Sequence, residues 1–134
     1  MRTKVVRALA ALIVGLEGVA LVALTIWQVA AVVAGDTVAI DSALALIVLT
    51  AVGAVIVIAF AFALLRGRSW GRSGGIVTQA LILAVAIGAT TGAYAHPILG
   101  VEIAIPAVIA LVLLVLDARD AGREASIRSA DEPS

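Results

Sequence analysis

Four long apolar runs dominate this sequence and leave its backbone one way to fold. They extend from about Ala8 to Val33, Ser42 to Leu65, Gly75 to Ala95 and Ile98 to Leu116. Each reaches the roughly 20 residues that cross a hydrocarbon core at about 1.5 Å per residue. Lipid offers no partner for a free N–H or C=O, so such runs must be helical. The alternating pattern of a membrane β-barrel is absent. Apolar residues make up 63% of the 134 and charged residues 13%. A soluble fold of this size cannot hide that much apolar surface. Disorder is excluded too, since it needs low hydrophobicity. The predicted fold class is all-α, an integral membrane bundle of four transmembrane helices over residues 1–117. A polar cytoplasmic tail over residues 118–134, partly helical and then disordered, is expected to follow.

The breaks between runs are short, so neighbouring helices are expected to pack antiparallel. Gly35-Asp36-Thr37 with Asp41 makes the first break, Arg66 to Gly74 the second and Tyr94-Ala95-His96-Pro97 the third. The basic residues fix an orientation. Arg2, Lys4 and Arg7 precede the first helix, Arg66, Arg68 and Arg72 lie in the middle connection, and Arg119, Arg123 and Arg128 follow the fourth helix. All nine fall on one side, and the positive-inside rule assigns both termini and the middle connection to the cytoplasm. The first apolar run is far longer than the core of a secretory signal, so an uncleaved helix is expected. Alanine wealth and arginine in place of lysine point to a bacterial cytoplasmic (inner) membrane.

Whole classes of chemistry are missing. There is no cysteine and only one histidine, so no disulfide, thiolate site or histidine-based metal centre is expected. Basic and acidic residues number nine each, which gives no bulk attraction for nucleic acid. No phosphate-binding glycine loop, HExxH or GxSxG occurs. The sequence thus predicts no enzyme and no cofactor.

Glu17 is the most informative residue. It lies about a third of the way into the first helix, between Gly15 and Gly18. A charged side chain deep in a bilayer costs roughly 2.5–3.5 kcal/mol on insertion scales. Glu17 therefore takes a partner, faces a wet cavity or sits there uncharged. It is read either as a proton- or cation-coupled site or as a structural hydrogen bond. Gln79 is the expected partner, because both helices start on the same side and both residues fall in one leaflet. Arg72 is expected to reach toward Glu17 along its own stem. Glu102, about one turn into the fourth helix, is a weaker candidate, and Pro106 should free a carbonyl near it.

Trp27, Trp70 and Tyr94 read as interfacial anchors, and His96 as a surface loop residue. Arg66, Arg68, Trp70 and Arg72 form a basic, aromatic segment suited to anionic lipid headgroups. Gly88 and Gly92 make a GxxxG pattern that would let helices approach closely. Gly71 and Gly75 match as well but are read as straddling the loop.

Leu16-Glu17, the Arg68-Ser69-Trp70-Gly71-Arg72 turn and Gln79 together resemble small four-helix membrane proteins of actinobacteria, over roughly residues 5 to 120. The resemblance implies an inner-membrane location and an accessory role, and carries no reaction with it. The chain is also similar to the small multidrug resistance transporters in having four short helices and a glutamate in the first. It departs from them in its few aromatics and its extreme charge bias.

Two functions follow as expectations. The first is a structural or accessory subunit that binds another membrane protein or itself, embedded in the lipid bilayer. The second is a small oligomeric transporter or proton-coupled permease using Glu17. A wet cavity beside Glu17 would favour the second; a packed Gln79 would favour the first.

Overall fold

A computed structural model describes residues 2–91 and 95–131, Arg2 by its backbone alone. It is all-helical: α1 (Arg2–Val33), α2 (Ile40–Leu65), α3 (Ser69–Thr91) and α4 (Pro97–Asp131). All four are long and apolar enough to cross a membrane.

Three boundaries differ from those read in the sequence by six residues or more. α1 begins at Arg2, so the basic segment before the apolar run is helical. α3 begins at Ser69, six residues before Gly75, and takes in much of the presumed loop. α4 continues to Asp131, so Ser129 and Ala130 are helical rather than frayed. Apolar runs report where lipid is tolerated, whereas a helix continues for as long as its backbone bonds are made. Tyr94, Gly92 and the last tail residues lie outside the described residues.

Glycine closes the first two helices by the same device. Gly35 (φ +79°) and Gly67 (φ +69°) adopt the left-handed conformation that only glycine enters freely. At the end of α2, the Gly67 N–H donates to the Leu64 carbonyl and the Arg68 N–H to the Ala63 carbonyl, each at 2.9 Å. At the end of α1, Gly35 and Asp36 donate to the Val32 and Ala31 carbonyls, each at 3.1 Å. This is the Schellman cap, which satisfies carbonyls a helix would otherwise leave bare.

The helices form two hairpins, α1 with α2 and α3 with α4. The hairpins meet through α2 against α3 and α1 against α4, which sets α1 and α3 on a diagonal. The core is built of small and branched side chains: Ala10, Ala11, Val14, Val57, Ala61, Leu64 and Leu114. Most large apolar residues instead face outward, among them Leu16, Leu49, Val55 and Val85. A water-soluble bundle would turn that surface inward.

Gly71 and Gly75 are among the glycines that permit close packing, as are Gly18 against Ile58 and Gly100 against Ala86. Gly71 and Gly75 lie inside α3 and both are buried, which corrects their reading as loop positions. At Gly71 a methyl group would meet Ala63 Cβ at 2.6 Å and the Leu64 backbone nitrogen at 2.8 Å. Among the described residues Gly88 has open space around it and makes no close approach.

Candidate functional site

The buried face of α3 carries Gly71, Gly75, Gln79 and Ala86. The first three recur every four residues, a stripe down one side of a helix. The glycines bring α3 against α2 and against Leu114 of α4, and this closeness carries Gln79 to the middle of the bundle. Gln79 is fully buried. Its Nε2 crosses the diagonal and donates to Glu17 Oε2 at 2.6 Å. Gln79 Oε1 is buried with no partner. On α1, Glu17 stands one turn beyond the core residue Val14 and is half-buried.

Beside this pair lies a cavity of about 420 Å³. Glu17 and Glu102 both line it, along with aliphatic side chains such as Leu21, Ile82 and Ile103. Pro106 lines it too and has no N–H to offer the Glu102 carbonyl one turn back. The two carboxylates within the apolar stretches of α1 and α4 thus share one space. Thr78 is also at its edge, but its hydroxyl donates to the Gly74 carbonyl at 2.9 Å. Thr25, Thr50 and Thr91 likewise donate to carbonyls four residues back on their own helices. This back-bonding lets a hydroxyl sit in an apolar span without an outside partner.

Arg72 does not reach Glu17. It lies in the first turn of α3, at the end of the bundle, and turns to a nearer anion. Arg72 Nη1 stands 3.7 Å from Asp117 Oδ2 and donates to the Gly67 carbonyl at 3.2 Å. From the other side, Arg7 Nε donates to Asp117 Oδ1 at 3.1 Å. Asp117 is fully buried, while the Arg7 and Arg72 side chains keep 24% and 16% of their exposure. One carboxylate thus draws together α1, α3 and α4 at the end where the basic residues gather.

Asp117, the last residue of the range read as the helical bundle, was given no role from the sequence. A usable signal existed: Gly100, Ala107, Ala110, Leu114 and Asp117 are the buried positions of α4. Their spacing of seven, three, four and three places Asp117 on the core stripe.

Arg66, Arg68 and Trp70 are exposed. The Trp70 ring packs edge-on against Phe60, with centroids 5.8 Å apart. Trp27 is exposed on the outer surface of α1, and His96 is exposed just before α4.

The chain matches no protein-family model, no curated protein and no solved structure.

Proposed function

We propose that this chain is a multi-pass protein of the bacterial cytoplasmic membrane, with both ends and the Arg66–Gly74 segment on the cytoplasmic side. It serves as a structural or accessory subunit that assembles with another membrane protein or with a second copy of itself. The observation that carries this reading is the internal use of Glu17: its carboxylate is held by the buried Gln79 amide. A second polar cluster, Arg7–Asp117–Arg72, lies ten residues away along α1, about 15 Å. Between the two, the core positions of α1 are Ala10, Ala11 and Val14. The polar groups thus form separate islands that tie helices together, and the large apolar surface is left for lipid and partner helices. The charge partition supports the orientation. The likeness to small actinobacterial four-helix proteins is in keeping with the same role.

Gentle purification of the tagged protein from its own membranes tests this. The expected outcome is recovery with a second membrane protein in fixed ratio, or as a homo-oligomer. Recovery solely as a monomer at native expression contradicts it.

One observation favours the alternative of a small transporter or proton-coupled permease: Glu17 and Glu102 line a common cavity. Under that reading Glu17→Gln abolishes substrate movement while the bundle stays folded. Full activity in the variant sinks it.

A further inference from the structure

The small side chains of α1 and α2 leave a trough on the outside of the first hairpin. Its floor is Ala11, Gly15 and Ala61; its rims include Leu12, Phe62 and Leu65. Its volume is about 580 Å³ and its lining is almost entirely apolar. Along α1 it runs from Ala8 to Val19, eleven residues, or about 16 Å. That is about half of a 30 Å hydrocarbon core, the depth of one leaflet.

The trough ends where the arginines begin. Phe62 belongs both to it and to a second hollow of about 370 Å³, lined also by Ala59, Ala63, Arg66, Arg68 and Trp70. Gly67, left-handed between the two arginines, turns the chain directly after α2. Among the described residues, Arg7 and Arg72 are engaged with Asp117, while the Arg66 and Arg68 guanidinia are exposed and make no ion pair. Two uncommitted cations thus cap an apolar furrow one leaflet deep.

We propose that this is a binding site for one anionic phospholipid. The phosphate lies at Arg66 and Arg68, one acyl chain fills the α1–α2 trough, and the second chain lies beyond Phe62 against Ala59 and Trp70. A guanidinium suits a phosphate because its planar donors match the phosphate oxygens. Trp70 supplies an indole at headgroup depth. Any lipid can fill an apolar furrow; the arginine pair selects for negative charge. This assignment stands apart from the accessory role, since a lipid site can exist whatever the chain assembles with.

The test uses the full chain in mild detergent, offered phosphatidylglycerol or phosphatidylcholine with identical acyl chains. Intact-complex mass spectrometry counts the lipids retained. The expected result is one phosphatidylglycerol held per chain, with roughly tenfold preference over phosphatidylcholine. The double variant Arg66→Gln/Arg68→Gln removes the preference. Ala8→Phe, at an exposed position on the trough lining, lowers occupancy while leaving the melting temperature unchanged. Equal retention of the two lipids by the wild type overturns the proposal, as does a preference that survives loss of both arginines. Inorganic phosphate binding with Ala8→Phe indistinguishable from wild type overturns the acyl-chain part. A lipid-free dimer that Ala8→Phe dissociates assigns the trough to a second copy and overturns it entirely.

Discussion

Replacing Asp117 with leucine is expected to destabilise the bundle by about 2–4 kcal/mol. The carboxylate is fully buried and answers two arginines from two other helices. Its removal leaves Arg7 and Arg72 facing each other at a closed helix end with no counter-charge. Breaking a buried pair by deleting one partner costs about 3–5 kcal/mol. The lower figure applies here because both arginines retain some solvent contact. Asp117→Asn keeps the shape and an acceptor for Arg7 Nε, so its loss should be smaller, about 1–2 kcal/mol. Unfolding of the reconstituted protein with denaturing detergent measures both. The distinctive result is a cycle: Arg7→Leu added to Asp117→Leu should cost less than the sum of the two single changes. Asp117→Leu matching wild-type stability would mean that the three helix ends are not held by this carboxylate.

The second large effect is expected at Gly71. A methyl group there meets Ala63 Cβ and the Leu64 backbone nitrogen well inside contact distance. A backbone atom cannot rotate away, so α2 and α3 must separate. Overpacking a close helix contact costs about 1–3 kcal/mol, and Gly71→Ala should fall within that range. Separation also draws Gln79 away from Glu17, because the same face of α3 carries Gly71 and Gln79. Gly88→Ala is the matched control, since its surroundings are open. Exchanging this exposed helical glycine for alanine should be neutral or gain up to about 1 kcal/mol. Thermal unfolding of the two variants side by side separates a packing glycine from a merely tolerated one. Equal behaviour would refute the close approach of α2 and α3.

The contrast between these glycines marks where the sequence was legible. The four helices could be read because an apolar run of that length permits no other backbone in lipid. The pairing of Glu17 with Gln79 could also be read, by counting residues from the basic end of each helix. The start of α3 could not. Arg68-Ser69-Trp70-Gly71-Arg72-Ser73-Gly74 is polar and glycine-rich, poor in helix formers and poor in hydropathy. It is helical because Gly71 fits against α2, a tertiary cause that no local pattern reveals. That displaced start also misdirected Arg72. Taken as a loop residue, it had Glu17 as its natural anion; in the first helical turn, it faces Asp117. Glu102 was judged alone because the cavity it shares with Glu17 exists only once α1 and α4 are side by side.

In the proposed role Glu17 is a structural group, held inside the bundle by Gln79. A double-mutant cycle of Glu17→Leu, Gln79→Leu and the double variant in lipid bicelles tests it most directly. The geometry predicts a coupling of about 0.6–2 kcal/mol, the range for polar contacts between membrane helices, with the double variant less destabilised than the sum of the singles. Strict additivity, with no coupling between the two positions, would contradict the account.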